Sequence, residues 1–310
     1  MTKTNAKPFL KWAGGKTQLL PTINSFLPNT FKGENDVTYI EPFVGGGAML
    51  FYMLQKYPNI RRAVINDINS HLIKTYSVIR DEPYSLIEAL TELQTTFKAL
   101  KYHDKQKELY LDIRNRFNQH PLTDVEEASY MIFLNRTCFN GLYRENSNGG
   151  FNVPFGRYSN PTICDDELIL ADSELLQRVE ILNGDFSHTA EYIQGYTFFY
   201  FDPPYRPLDA TSSFNSYVKE SFNDNEQIRL KDFYSALSDE GCYVMLSNSD
   251  CRGRNAEDDF FDRLYENFFI ERVYAKRCIN ANAAKRGTLT ELLIRNYENY
   301  QGEPANLFNI

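Results

Sequence analysis

A short apolar run, Thr197 to Phe201, stops abruptly on Asp202-Pro203-Pro204-Tyr205. A carboxylate at the end of a buried strand can accept one N–H of a substrate amine. Pro203 has no N–H to give but keeps its carbonyl, which can accept a second. Consecutive prolines stiffen the turn, so both acceptors are held before a substrate arrives. Tyr205 adds an aromatic face on which a planar ring can stack. Together the four residues describe a pocket for an exocyclic amine on a planar base. A plain cap after a buried strand uses the same residue types, so the neighbours at that edge must decide between the two.

A second candidate lies upstream. Glu41-Pro42-Phe43-Val44-Gly45-Gly46-Gly47 follows one apolar run and precedes another. Glycines allow a tight turn and close approach of the backbone to a ligand. Asp67 ends the next apolar run, where an acid can accept hydrogen bonds from ribose hydroxyls. The pair describes a nucleoside site. A dinucleotide fingerprint needs a third glycine where Leu50 stands, which disfavours a nicotinamide-dependent oxidoreductase. Gly15-Lys16-Thr17 resembles the end of a phosphate loop, but that pattern needs glycine where Leu10 stands.

These groups need strands to carry them. VTYIEP (37–42), RRAVIND (61–67), VEILNGD (179–185), TFFYFD (197–202) and CYVMLSN (242–248) read as buried strands, and GAMLFYMLQKY (47–57) as a helix. Short apolar runs with polar ends, separated by helical stretches, predict a parallel sheet with ligands at its carboxyl edge. Glu41, Asp67, Asp185 and Asp202 would line that edge. The rhythm breaks between about 70 and 160. Residues 84–118 and 124–138 are helical in pattern, and RENSNGGFNVPFGRY (144–158) reads as a hairpin and loop. This interruption predicts an inserted second domain.

The chain has 310 residues, 42% of them hydrophobic and 15% aromatic, enough for a sizeable core. No apolar run reaches the length of a membrane span, and the first residues lack a signal-peptide pattern. Five cysteines without CxxC spacing fit reduced thiols in a cytoplasmic protein. The four histidines are scattered, so no metal site is expected. A net charge of −8 argues against a nucleic-acid partner, but that figure averages the surface. Residues 271–295 carry six basic against two acidic side chains, and residues 131–160 carry Arg136, Arg144 and Arg157 against Glu145 alone. A locally basic face on an acidic protein is compatible with both.

Asp202-Pro203-Pro204-Tyr205 resembles the catalytic motif of the amino-methyltransferases that modify adenine N6 or cytosine N4 in DNA. Phe43-x-Gly45-x-Gly47 resembles their S-adenosylmethionine loop. FLKWAGGK (9–16) is similar to the segment that closes over the cofactor in Dam-type DNA adenine methyltransferases, and RTCFNGLYRENSNGGFNVPFGRY (136–158) to the recognition region of GATC-specific members. The order of these four segments resembles the α group of the D12 class, over nearly the whole chain.

The resemblance implies an α/β fold: a Rossmann-like S-adenosylmethionine-dependent methyltransferase sheet with an inserted, mainly helical DNA-recognition domain. Residues 1–70 and 160–310 would form the catalytic domain, and 71–159 the target-recognition domain with its DNA-binding hairpin. It implies that Trp12, Lys16, Glu41, Phe43, Gly45, Gly47, Asp67, Asp185, Phe186 and Asp202 bind the cofactor, and that Asp202, Pro203, Pro204 and Tyr205 carry catalysis, with no metal. Lys11, Asn140, Leu142, Arg144, Pro154, Arg157 and Tyr158 would contact double-stranded DNA or fill the gap left by a flipped base. Arg277, Lys285 and Arg286, in a last hairpin at 277–294, would touch phosphates. The loop 206–222 would order on substrate. A restriction endonuclease acting on the same site would be a functional partner without direct contact; the oligomeric state is left open. The motif alone also admits N4-cytosine or RNA as substrate, and a DNA-binding relative that has lost catalysis is the remaining rival.

Overall fold

The computed structural model describes residues 5–119, 121–206, 222–253, 255–275 and 289–299. Its sheet is built from β1 (Val37–Glu41), β2 (Ile60–Asp67), β3 (Val179–Asn183), β4 (Tyr196–Phe201), β5 (Tyr243–Ser249), β6 (Phe269–Ala275) and β7 (Leu289–Arg295). The order across it is β3-β2-β1-β4-β5-β7-β6. β1 to β5 are mutually parallel, and β7 runs antiparallel between β5 and β6. The five runs read as strands are β1 to β5, in order.

The central strands are apolar because they are buried on both faces, most completely in β4. Along β4, Phe198 and Tyr200 point into one core while Phe199 and Phe201 point into the other. All four are fully buried, and each aromatic removed from water contributes about 1.5–3 kcal/mol. A strand so anchored gives Asp202, the next residue, little freedom to wander.

The helices are α1 (Leu20–Ser25), α2 (Ala48–Lys56), α3 (Ser70–Asp81), α4 (Pro83–Ala99), α5 (His103–Asn118), α6 (Asp124–Thr137), α7 (Asp166–Leu176), α8 (Asp224–Asp239) and α9 (Phe260–Leu264). A parallel crossover needs one helix, but α3 to α7 all lie between β2 and β3. α3 packs on β2 and β3, and α6 is enclosed by α3, α4 and α5. α6 begins at a capping box, in which the Thr123 side chain accepts from the Glu126 amide and Glu126 accepts from the Thr123 amide. After α6 the chain forms an irregular ladder, with bridges Cys138–Phe155 and Glu145–Phe151. Asn118, at the end of α5, acts as a surrogate strand. Its amide donates to the Phe151 carbonyl (3.0 Å) and accepts from the Phe151 N–H (2.9 Å).

The chain moves outward from β1 to β2 and β3, then restarts at β4 on the other side of β1. That reversal is a topological switch point, where open α/β sheets bind ligands at their carboxyl ends. The glycine turn leaves β1 there, and Asp202 leaves β4 beside it; Ile40 and Phe199 are paired just below.

Candidate active site

The turn after β1 is locked by Asp67 at the end of β2. Gly45 and Gly47 sit at φ 49° and 74°, where a side chain is strained. The Gly45 N–H donates to Asp67 Oδ2 (3.1 Å), and the Asn69 N–H donates to Oδ1 (3.0 Å). Burial raises the Asp67 pKa, and these two donors oppose the rise. Trp12 lies across the turn: a Cβ on Gly45 or Gly46 would come within 2.9 Å of its side chain. The indole stacks on Tyr143 with centroids 5.3 Å apart. Glu41 is 2% exposed, accepts from the Tyr39 hydroxyl (2.8 Å) and has a raised pKa because of burial.

Phe43 opens an aromatic wall. It stands 5.3 Å from Phe186 and 5.6 Å from Phe222. Arg229 on α8 covers the Phe186 ring at 4.1 Å and binds both Asp185 oxygens at 3.0 and 2.7 Å. That guanidinium holds the Asp185 carboxyl well below the usual carboxylate range. A left-handed glycine turn, an acid at the next strand end and aromatic faces fit a nucleoside.

Asp202 follows β4 at the same carboxyl edge of the sheet. Its Oδ1 meets Lys16 Nζ at 3.1 Å, and Lys16 also donates to the Gly14 carbonyl (3.1 Å). A fifth of the Asp202 side-chain surface stays open, yet the enclosing protein desolvates the carboxylate and raises its pKa to about 6. Lys16 opposes that rise, and Glu291 adds to it. Pro203 is buried, while Pro204 is exposed and its carbonyl accepts from Gln227 of α8 (3.1 Å). Tyr205 donates to Glu291 Oε2 (2.8 Å), and Lys16 Nζ lies 4.4 Å from its ring centroid. Burial keeps the Tyr205 phenol protonated. Arg206 closes the turn by binding Asp224 (2.8 Å) and Asp258 (2.7 Å).

The N-terminal segment joins this pocket to the 137–158 ladder. Lys11 and Gly141 are both held by the buried Asn135: the Lys11 N–H donates to Asn135 Oδ1 (2.9 Å), and Nδ2 donates to the carbonyls of Lys11 (2.9 Å) and Gly141 (3.0 Å). Lys11 Nζ approaches the Tyr158 ring at 5.2 Å. Asn140 and Leu142 are exposed beside it, and Pro154 accepts from the Phe139 N–H (2.8 Å). Arg144 is exposed and donates to Asn152 Oδ1 (2.7 Å). Asn140 (φ 58°) and Arg157 (φ 55°) are the non-glycine residues in the left-handed region among those described. Such strain clusters at functional positions.

Thus Lys11, Trp12 and Lys16 reach, in turn, the ladder, the glycine turn and Asp202. Arg277, Lys285, Arg286 and most of the 206–222 loop lie outside the described residues. Sequence reasoning missed Glu291, Arg229 and Asn135. Glu291 meets Tyr205, Arg229 meets Asp185 and Asn135 meets Lys11 across long stretches of chain, so no local spacing betrays those pairs.

A family model described as D12 class N6 adenine-specific DNA methyltransferase matches residues 12–279. A type II methyltransferase of Methanocaldococcus jannaschii is 50% identical over 297 residues, covering 94% of this chain and 99% of its own. A type II methyltransferase of Lactococcus lactis subsp. cremoris is 41% identical over 302 residues, 96% of this chain and 98% of its own. The DNA adenine methylase of Vibrio cholerae is 34% identical over 288 residues, 93% of this chain and 95% of its own. Membership of a methyltransferase family implies a methyl donor. With its Rossmann-like sheet and this family match over most of its length, the chain belongs to the D12 class of N6 adenine-specific DNA methyltransferases.

Proposed function

We propose that the enzyme takes its methyl group from S-adenosyl-L-methionine and delivers it to N6 of an adenine turned out of duplex DNA, within GATC. The observation that carries this is the juxtaposition at one sheet edge of a nucleoside-type pocket and the Asp202-Pro203-Pro204-Tyr205 turn. A base inside a duplex cannot reach such a recess, so it must leave the stack.

The donor supplies an electron-poor methyl group on a sulfonium. Phe43, Gly45, Gly47, Asp67, Asp185 and Phe186 would bind its nucleoside part, with Trp12 over the turn, Lys16 against Asp202 and Glu41 at the end of β1. Tyr205 stacks on the adenine. Asp202 and the Pro203 carbonyl accept the two N6 hydrogens, which favours the tetrahedral, nucleophilic nitrogen of the transition state. The new N6–C bond would form as the methyl–sulfur bond breaks and the donor leaves as a neutral thioether; N6 would become positive, and the Asp202 carboxylate would stabilise that charge until a proton leaves to water.

Residues 1–70 and 160–310 would act as the catalytic domain and 71–159 as the recognition domain. Lys11 of the former and Asn140 and Arg144 of the latter would read base edges, Leu142 and Tyr158 would fill the gap in the stack, and Pro154 and Arg157 would hold the strand. Arg277, Lys285 and Arg286 would bind phosphates. The names of two relatives support a role as the cytoplasmic modification partner of a restriction endonuclease with the same site. Asp202→Ala should abolish methyl transfer and leave DNA binding by fluorescence anisotropy within a few-fold. Unchanged turnover would refute the assignment.

A further inference from the structure

We propose that Glu291 is a positioning residue for methyl transfer, one that sets the plane of the Tyr205 ring and thereby the place of the target base against Asp202. β7 runs opposite to β1–β5, so it is its beginning, not its end, that reaches the carboxyl edge. Glu291, the third residue of β7, is fixed there from both sides, opposite Ser249 of β5 and Val273 of β6. It is the one acid in this strand.

Its Oε2 atom accepts from the Tyr205 hydroxyl at 2.8 Å and faces Lys16 Nζ at 3.4 Å. The hydroxyl is the only polar handle on Tyr205. A tyrosine at the end of a stiff Pro-Pro turn still rotates about its side-chain bonds, and this bond restrains it, alongside the Asp202 carboxylate and the Lys16 ammonium that also face the side chain. A stacking platform is useful only in the correct plane, because a shift of about 1 Å at the reacting atoms can cost about 100-fold in rate. The geometry also carries a cost. Asp202 and Glu291 share one ammonium, and the second carboxylate raises the Asp202 pKa. An amide or apolar residue at this position would avoid that repulsion.

The proposal rests on Tyr205 and Asp202 forming the base pocket, and the test separates the two. In the full-length enzyme, methyl transfer to a duplex substrate is compared for Glu291→Ala, Glu291→Gln, Tyr205→Phe and the Glu291→Ala/Tyr205→Phe pair, with donor affinity measured by calorimetry. The expected results are a kcat about 10- to 100-fold lower in E291A with donor Kd within about threefold, and substantial recovery in E291Q, whose amide oxygen still accepts from Tyr205. E291A should cost little further in the Tyr205→Phe background. In E291Q the acid limb of kcat/KM should move to lower pH, because the carboxylate that raises the Asp202 pKa is gone. Multiplying effects in the double variant, or a loss in donor affinity matching the loss in kcat, would overturn the proposal. Turnover that survives Asp202→Ala would instead overturn the pocket itself.

Discussion

Gly47→Ala probes the glycine turn directly. Gly47 sits at φ 74°, where a side chain costs about 1–2 kcal/mol. The added Cβ would stand 2.4 Å from the Tyr76 hydroxyl and 3.1 Å from Phe51 Cε2. Tyr76 has little room to yield: it is fully buried, meets Phe9 edge-on at 4.8 Å, and donates to the Gly45 carbonyl at 3.0 Å. Breaking that bond would leave a buried hydroxyl unsatisfied, a further cost of about 1–3 kcal/mol. The total of about 2–5 kcal/mol divides between fold stability and donor binding, since the Gly45 N–H is bound to Asp67. Calorimetric titration with S-adenosylmethionine should show at least about tenfold weaker binding. Thermal unfolding should fall by several degrees. Gly149→Ala is the control. Gly149 also has positive φ (79°), but nothing lies within 4 Å of its added Cβ, so only backbone strain applies and donor binding is unchanged. If Gly47→Ala binds donor within twofold of wild type and melts like Gly149→Ala, the steric reasoning is wrong.

Arg229→Gln removes the cation over Phe186 and the partner of Asp185, so donor Kd should rise about 5- to 50-fold with DNA affinity unchanged; equal losses in both by titration would refute it. Asn118→Ala deprives Phe151 of both backbone partners, so binding of the duplex should weaken or lose sequence preference while donor binding holds; unchanged discrimination between cognate and altered duplexes would refute it. Asp172 is fully buried on α7, accepts from the Lys7 N–H at 3.1 Å, and has its pKa pushed up to about 8 by burial. Since an unfolded aspartate titrates near pH 4, the stability this carboxyl contributes is present in acid and lost as pH rises from about 4 to about 8. Asp172→Asn should match wild type near pH 4 and melt at increasingly higher relative temperature toward pH 8; a difference independent of pH would count against this.

What the sequence made legible was set by burial on two faces. β1, the second half of β2 and β4 are mainly apolar because they are buried on both faces, and their polar ends stand out. β6 is an edge strand with Phe269, Glu271 and Tyr274 exposed, and its mixed composition looks like a loop. β7, starting Leu-Thr-Glu, was visible only through the resemblance to a family hairpin. Asp67 was legible because its spacing from the glycine turn is local to one β-α-β unit. Arg229 and Glu291 were not, because Asp185–Arg229 and Tyr205–Glu291 are pairings that only the folded sheet creates. Lys16 shows a third case. Its neighbours resemble a phosphate loop, yet in the fold its ammonium lies between Asp202, Glu291 and the Tyr205 ring.

The most direct test of the central claim is methyl transfer from labelled S-adenosylmethionine to duplexes containing GATC and to duplexes with one base pair of that site changed, with the methylated nucleoside then identified. Label on N6 of adenine in the intact site alone is the predicted result. Label on cytosine N4, equal label on the altered duplexes, or none on any DNA while donor still binds, would contradict it.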